Sequence, residues 1–433
     1  TNGGSTALTN SPFDDPEGFK FGEEGDQNII KTGSYVGNGL TTGPEVYLGW
    51  EPQWIMIKNT ASGSWTMFDS MRGIINGFNG DDSRLYANTT TSETQTANWI
   101  DVSATGFQLK IQYSDINSNG DKYVYMAIRR PDGAVGKPAE AGTDAFALAR
   151  GAGNPSFPCF VTGFPVDFLL QREFASADSW ITGARLTGTE YMYTNATNAG
   201  AATNYNWGSN TGAVLDRASS YQGWLWKRGA GFDVLAYAGL TGGKDIVHSL
   251  GKTPEMYWIK SRTSSSQEWF VYHKGLNGGS NPEGYNLQLQ SSGAEGNSGS
   301  AFWYAPTSRY LRLKSFGGTN FTGSNYIAML FASVDGISKV GYFDGSNSEL
   351  TITTGFQPRF LIVKAASISG QWNVLDTVRG WGAGNDPYLK LNDSAAQNSG
   401  YNIGAPTATG FTLTGNMGGT NVSGVKYIYY AHA

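Results

Sequence analysis

The sequence predicts an all-β protein, a tandem array of four antiparallel β-sandwich domains. Glycine is abundant, with 59 residues beside 13 tryptophans, 23 tyrosines and 22 phenylalanines, and only 15% of residues are charged. This composition is typical of short strands joined by tight turns. Helical periodicity is weak throughout. One template recurs four times along the 433 residues, which gives units of ordinary domain size.

Each repeat begins with a short apolar strand that follows a proline. These strands are Trp54–Lys58, Phe168–Gln171, Met256–Lys260 and Phe360–Lys364. A lysine stands six residues after the proline in three repeats, whereas the second repeat has Gln171 at that spacing. In the first repeat Trp54 and Met56 alternate with two isoleucines, so the strand is expected to be covered on both faces.

A polar turn leads into a second strand that starts with tryptophan in every repeat, namely Trp65, Trp180, Trp269 and Trp372. The glycines and serines of the turn favour an antiparallel hairpin. An aromatic strand then closes each repeat, as in Tyr123–Ala127, Trp224–Trp226, Tyr326–Met329 and Tyr427–Ala431. Since a hairpin is not stable alone, further strands around Phe107 and Phe411 are expected to complete two sheets.

Basic or glycine-rich residues after the closing strands set the domain boundaries. The prediction is an N-terminal lead segment, residues 1–27, followed by repeats at 28–131, 132–229, 230–336 and 337–433. The second repeat diverges most, because it lacks both the template lysine and the template aspartate.

Charge and composition argue against several functions. The formal net charge of −5 argues against binding to nucleic acid through phosphates. No uncharged apolar run approaches the roughly 18 residues of a membrane-spanning helix, so membrane insertion is not expected. The chain has one cysteine, Cys159, and three scattered histidines, and it lacks the common nucleophile, zinc-protease and dinucleotide motifs. The sequence therefore predicts no catalytic residues and no enzyme.

A D-x-x-R-G motif occurs twice, at Asp69–Gly73 and at Asp376–Gly380. Arg72 and Arg379 could clamp a carboxylate or a sugar, or each could pair with its aspartate and shape the turn. The second repeat has Ala184 and the third has His273 at the aspartate position, which favours the structural role. The predicted structural frame is accordingly Trp65, Asp69, Arg72, Trp180, Trp269, Trp372, Asp376 and Arg379.

Acidic residues in the sequence could serve as glycosidase pairs or as calcium ligands. The candidate pairs are Glu23/Glu24/Asp26, Asp81/Asp82 and Asp167/Glu173; none recurs in other repeats, so we expect solvated loop acids. The run Asp115-x-Asn117-x-Asn119-Gly120 matches the first half of an EF-hand loop, but Met126 stands where the bidentate glutamate is needed. A structural turn is favoured there, and no metal or other cofactor is predicted, with calcium left open.

Several aromatic residues lie outside the template, in segments that differ between repeats: Trp99, Trp207, Trp303, Tyr304 and Trp381. Exposed rings on a rigid scaffold can stack against sugars or a partner surface. Large aromatics also fill cores, so core filling is the alternative. These five residues are the predicted ligand-binding set.

Longer stretches of the chain resemble a known family. The stretches Lys31–Gly39, Leu48–Trp54, Asp69–Gly73 and Tyr123–Arg130 resemble repeat modules in large virion proteins of marine tailed bacteriophages, usually described as tail-fibre-like. The resemblance extends over nearly all of residues 28–433. Such modules are similar to concanavalin-like or SPRY-like jelly-roll sandwiches used for surface recognition, and no catalytic residues carry over from them.

The resemblance implies a structural protein at the virion surface, outside the cell, that assembles with other copies of itself and with other virion proteins. The leading expectation is a tail-fibre adhesin that contacts host-surface glycan through many weak sites. The first alternative is a purely architectural part, such as a capsid decoration or a fibre shaft. The second is a glycan-degrading fibre enzyme. An adhesin requires exposed loop aromatics, whereas an enzyme requires two carboxylates in one cleft.

Overall fold

The computed structural model describes residues 29–77, 80–131, 139–153, 157–203, 205–214, 216–299 and 301–433. The described strands form eight sheets with antiparallel neighbours, which confirms the predicted all-β class. The helical segments among these residues are four short 3-10 turns, Gly142–Asp144, Arg185–Thr187, Leu276–Gly279 and Pro282–Gly284. None of them is long and apolar enough to cross a membrane. The lead segment, with Glu23, Glu24 and Asp26, lies outside the described residues.

The first repeat contains a five-stranded sheet and a three-stranded sheet. Its strands are β1 (Ile30–Val36), β2 (Glu45–Tyr47), β3 (Pro52–Asn59), β4 (Thr66–Asp69), β5 (Leu85–Tyr86), β6 (Ile100–Ser103), β7 (Gly106–Leu109) and β8 (Lys122–Arg129). The strand orders are β1-β8-β3-β4-β5 and β2-β7-β6. The predicted hairpin is β3–β4.

The second repeat contains a six-stranded sheet and a two-stranded sheet. Its strands are β9 (Phe146–Arg150), β10 (Phe160–Val161), β11 (Phe168–Glu173), β12 (Ile181–Ala184), β13 (Glu190–Tyr193), β14 (Ala201–Ala202), β15 (Gly212–Ala213) and β16 (Tyr221–Trp226). The orders are β14-β13-β12-β11-β16-β9 and β10-β15, so β11, like β3, lies between its hairpin partner and the closing strand.

The third repeat follows the same plan. Its strands are β17 (Phe232–Ala238), β18 (Lys244–Val247), β19 (Met256–Ser261), β20 (Phe270–His273), β21 (Tyr285–Gln288), β22 (Gly296–Asn297), β23 (Tyr310–Leu313) and β24 (Asn325–Phe331). They form sheets in the orders β17-β24-β19-β20-β21-β22 and β18-β23.

The fourth repeat matches the first strand for strand. Its strands are β25 (Ser338–Asp344), β26 (Leu350–Thr353), β27 (Phe360–Ala365), β28 (Trp372–Asp376), β29 (Tyr388–Lys390), β30 (Pro406–Thr407), β31 (Gly410–Leu413) and β32 (Lys426–His432). The orders are β25-β32-β27-β28-β29 and β26-β31-β30.

The core of each sandwich lies between its large sheet and its small sheet. In the fourth repeat Leu361 and Tyr429 of the large sheet pack with Phe411 and Leu413 of the small sheet. In the first repeat the rings of Phe107 and Tyr125 meet edge to face across the two sheets at 5.6 Å. Side chains alternate along a strand, so each large sheet also has an outer face that points away from its small sheet.

The chain divides into two compact units. One consists of residues 1–75 and 81–131, and the other of residues 76–80 and 132–433. The first unit therefore holds the first repeat except residues 76–80, and the second unit holds those five residues and the other three repeats.

Candidate functional site

Strand register identifies equivalent residues on the outer faces of the four large sheets. The central strand presents Trp54, Phe168, Met256 or Phe360 opposite the template aspartate position. Four residues later the same face carries Lys58, Arg172, Lys260 or Lys364. The second repeat thus has Arg172, not Gln171, at the lysine position, because one extra residue separates Pro165 from its strand. Gln171 points to the opposite face and donates to Tyr205 Oη at 2.7 Å.

The template tryptophans of the second unit join the repeats to one another. Each is buried and donates its indole N–H to a main-chain oxygen of another repeat. The three accepting residues occupy the same position in their own repeats. The bonds are Trp180 to Lys390 (2.6 Å), Trp372 to Gln288 (3.0 Å) and Trp269 to Tyr193 (2.8 Å). Repeat 2 therefore donates to repeat 4, repeat 4 to repeat 3, and repeat 3 to repeat 2, so the three bonds form a closed ring.

The basic residue at the end of each central strand donates to the same neighbouring repeat as the tryptophan of its own repeat does. Arg172 donates to the main-chain oxygens of Asp393 and Ser394, both at 2.7 Å, and of Ala395 in repeat 4. Lys364 donates to Gly293 in repeat 3 at 2.9 Å, and Lys260 to Thr197 in repeat 2 at 3.1 Å. Burial lowers the pKa of Arg172 to about 10 and that of each lysine to about 8, so all three remain charged near pH 7.

Aromatic side chains fill the space where repeats 2, 3 and 4 meet. The last outer residues of the closing strands are Trp226, Phe331 and His432, and all are buried. The ring centroid of Trp226 lies 6.5 Å from that of Phe331 and 5.7 Å from that of Phe360. The His432 ring lies 4.7 Å from Phe146. The outer faces of repeats 2, 3 and 4 thus share one apolar core in addition to the three sandwich cores.

Two buried histidines at this shared core give the second unit a pH dependence. Burial lowers the pKa of His273 and of His432 to about 3, against an ordinary value near 6.5. Below about pH 6.5 the unfolded chain binds protons that the folded chain excludes, so stability is complete above that pH and falls towards pH 3. We expect the free energy of unfolding to decrease by up to about 1.4 kcal/mol per pH unit for each histidine.

Urea unfolding at pH 7 and pH 5 measures this dependence. His432→Phe is a matched variant, because repeat 3 has Phe331 at the equivalent position, and it should make the dependence shallower. The same difference in stability between the two pH values in the wild type and in the variant would contradict the assignment.

The two Asp–Arg pairs lie in related surroundings. Asp376 Oδ2 lies 2.6 Å from Arg379 Nε with both side chains fully buried, and the same carboxylate accepts the indole N–H of Trp224 from repeat 2 at 3.1 Å. The Asp69–Arg72 pair has the same 2.6 Å distance but is partly exposed. In both pairs the aspartate also accepts the arginine amide at 2.8 Å. These are the contacts of a pair that shapes a turn.

The structure places four of the five predicted ligand-binding aromatics inside their own repeats. Trp99, Trp207, Trp303 and Trp381 are at most 7% exposed, and in this conformation their rings are not available for stacking on a surface ligand. Tyr304 is 45% exposed. Its ring lies 5.2 Å from the Arg312 guanidinium and 4.6 Å from Lys314 Nζ. Position in a variable segment therefore does not separate surface rings from core rings.

One of the acidic candidates, Asp82, has structural partners. Asp82 was expected to be a solvated loop acid, but it is fully buried. Its carboxylate accepts three main-chain amides, from Ile75, Trp99 and Ile100, at 2.7–2.8 Å. Asp386 accepts amides of Gly382, Ile403 and Gly404 in the same way in the fourth repeat. These aspartates fix the loop that follows the D-x-x-R-G motif.

The segment that resembles an EF-hand loop is hydrogen-bonded to the main chain of the protein through Asn117. Asn117 is fully buried; its Oδ1 accepts the Asn38 amide at 2.9 Å and its Nδ2 donates to Leu40 O at 2.9 Å. Asn320 and Asn421 make equivalent bonds in repeats 3 and 4. Within the described residues no cluster of three or more His, Cys, Asp or Glu side chains could hold a metal ion.

Sequence reasoning missed Arg172, Trp226 and His432 as interface residues. Counting four residues from the first strand aromatic, instead of six from the proline, would have placed Arg172 at the lysine position. The carbonyl acceptors left no signal, because any residue type supplies a main-chain oxygen.

Comparison with known families gives one match. A family described as a domain of unknown function (DUF7483) matches residues 26–130 and 181–433. No curated protein shows significant similarity to the chain. Because the match covers well over half of the sequence, the chain belongs to the DUF7483 family.

Proposed function

We propose that the chain is an architectural component of a bacteriophage virion, forming part of a tail fibre or a similar surface appendage. The observation that carries the proposal is the closed ring of charged and indole donors that joins repeats 2, 3 and 4. Domains on flexible linkers normally move relative to one another. Here three repeats share a core and form one block, which suits a part that holds its shape. The resemblance of the repeat motifs to tail-fibre-like modules supports the virion setting.

Labelling of assembled particles tests this proposal. Gold-conjugated antibodies raised against the purified chain should decorate an appendage on intact phage particles whose genome encodes it. Particle proteins separated by size should contain the chain in many copies. If the chain is expressed during infection but is absent from purified particles, the architectural role is wrong.

An adhesin that binds host glycan is a second candidate, and Tyr304 favours it. This exposed ring has two cationic groups within 6 Å, and aromatic rings beside polar groups suit sugar binding. Binding of labelled chain to host cells, with and without periodate oxidation of their sugars, separates the two roles. Loss of periodate-sensitive binding in Tyr304→Ala but not in Tyr342→Ala, another exposed tyrosine, would establish the adhesin.

A further inference from the structure

The first repeat presents the same outer face as the other three, but the centre of that face is only half-buried. The equivalent residues at three positions are Met56, Leu170, Trp258 and Ile362; Met126, Trp224, Met329 and Tyr430; and Ile128, Trp226, Phe331 and His432. In repeats 2, 3 and 4 all of these are buried, whereas Met56, Met126 and Ile128 are only half-buried. Trp54 and Met56, which the sequence predicts to be covered, are thus only half-buried in the described chain.

The centre of the face is apolar, whereas its edge strand carries the exposed polar residues Thr32 and Ser34. Its central strands carry Trp54, Met56, Met126 and Ile128, and Met67 lies beside Met56 on β4. The edge adds Ile30, which is 50% exposed and pairs with Ile128. A contiguous apolar patch that is only partly covered is typical of an interaction surface.

The first repeat also has the two donors that join repeats 2, 3 and 4, namely the template tryptophan and the basic residue at the end of the central strand. Trp65 is 38% exposed, against at most 1% for Trp180, Trp269 and Trp372. Lys58 Nζ donates to Asn59 O at 2.6 Å and Ser62 O at 2.7 Å. Lys260 makes the two equivalent bonds to its own repeat and a third to the neighbouring one. In the described chain Lys58 has no such third acceptor.

The acceptor loop is kept in the first repeat as well. Register places Tyr86 at the acceptor position of Tyr193, Gln288 and Lys390. The loop that follows returns to the sheet after the same spacing in all four repeats, since the pairs are Arg84 with Thr94, Tyr191 with Ala201, Asn286 with Gly296, and Tyr388 with Asn398.

A bond at the start of the loop fixes it relative to the tryptophan. The Trp65 amide donates to Asn88 Oδ1 at 2.8 Å, as the amides of Trp180, Trp269 and Trp372 do to Asn195, Gln290 and Asn392. Donor and acceptor of the first repeat are therefore held in the same frame as in repeats that do bind each other.

We propose that this face of the first repeat binds two further copies of the chain, so that three first repeats form a closed trimer like the one that repeats 2, 3 and 4 form within one chain. Trp65 Nε1 of each copy donates to the main-chain oxygen of Tyr86 in the next. Lys58 donates to the loop of the next copy around Thr90, which stands four residues after Tyr86 as Thr197, the acceptor of Lys260, stands four residues after Tyr193. Ile30, Trp54 and Ile128 of the three copies form the central core. The inference rests on equivalence within the chain and does not depend on the virion assignment.

The geometry selects three copies over two. Each repeat of the second unit gives its template indole and its strand-end basic side chain to one neighbour and receives the equivalent groups from the other. The contact is therefore heterologous, and such contacts close into a ring only at the matching rotation. In the second unit that ring contains three repeats. In a twofold dimer each partner would have to give its template indole and basic side chain to the other, whereas in the second unit these groups pass in one direction around three repeats.

The molar mass of the full chain in solution tests the proposal. Light scattering after size exclusion should give three times the mass of one chain. Met56→Glu, which places three carboxylates in the shared apolar face, should give the monomer with unchanged circular dichroism. Tyr47→Glu is the matched control, because Tyr47 is 58% exposed on the small sheet of the same repeat, and it should remain trimeric. Trp65→Phe removes the indole donor but keeps a smaller aromatic ring, and it should weaken assembly by about tenfold or more without unfolding the repeat.

Cross-linking separates this interface from any other route to a trimer. A Lys58→Cys, Thr90→Cys double variant treated with a short bis-maleimide should give covalent dimers and trimers and nothing larger on a denaturing gel. Neither single variant should give trimers, because Cys159 is buried. A monomeric wild type, a mass unchanged by both Met56→Glu and Trp65→Phe, or cross-linking that stops at the dimer would overturn the proposal.

Discussion

Replacing Trp226 by alanine should lower the free energy of unfolding of the second unit by about 3–5 kcal/mol. Trp226 is fully buried where the three outer faces meet, and its ring contacts Phe146, Phe168, Phe232, Phe331 and Phe360. The cavity would therefore open in a core that belongs to three repeats, and all three should lose stability together. Denaturant unfolding gives the size of the loss, and hydrogen exchange followed by peptide mass spectrometry shows where it occurs.

A control for this variant is Val161→Ala in the same repeat. Val161 is 61% exposed, and its truncation should change stability by less than about 0.5 kcal/mol. If Trp226→Ala increased exchange in repeat 2 alone and left repeats 3 and 4 as protected as in the wild type, the three repeats would not share a core.

Replacing Arg172 by methionine should cost about 3–5 kcal/mol, the second large effect. The side chain of Arg172 is fully buried and satisfies three main-chain oxygens of repeat 4. Methionine fills similar space but leaves those oxygens without donors, and a buried unsatisfied polar group costs about 1–3 kcal/mol. Thermal unfolding of the full chain should show the transition of the second unit at a lower temperature.

Arg172→Lys is the matched comparison, because repeats 3 and 4 use Lys260 and Lys364 at this position. Lysine brings three donors on a long stem, so its loss should be smaller, about 1–2 kcal/mol. Equal destabilisation by lysine and methionine would mean that packing of the guanidinium, and not satisfaction of the oxygens, is what matters.

The sequence predicted the fold well because repetition reveals frame residues. The proline, the hairpin tryptophan and the closing aromatic strand recur at matched positions, and each pair of sheets in the structure is drawn from one predicted repeat. Apolar residues on both faces of the first strand of the template also indicated that both faces make apolar contacts. They reflect the second apolar contact, which the described structure shows for repeats 2, 3 and 4.

The candidate site was harder to predict, for physical reasons. The partners of Arg172 and Trp180 lie more than 200 residues away along the chain and are main-chain oxygens, so residue type does not identify them. Trp303 and Trp381 lie in variable segments, but they pack in the sandwich cores of their own repeats and not at the surface. A side chain's burial depends on which loops cover it, and single-sequence patterning does not specify that.

One face, with its tryptophan donor, joins repeats 2, 3 and 4 to one another, and the proposed trimer extends the same contact to the first repeat. Hydrogen exchange of the indole protons, followed by NMR on tryptophan-labelled full chain, tests it most directly. We predict that the indole protons of Trp180, Trp269 and Trp372 exchange slowly and at one common rate, set by unfolding of the whole second unit. The Trp65 proton should be protected in the wild type and fast in Met56→Glu. Rapid exchange of any one of the three buried indoles under native conditions would contradict the account.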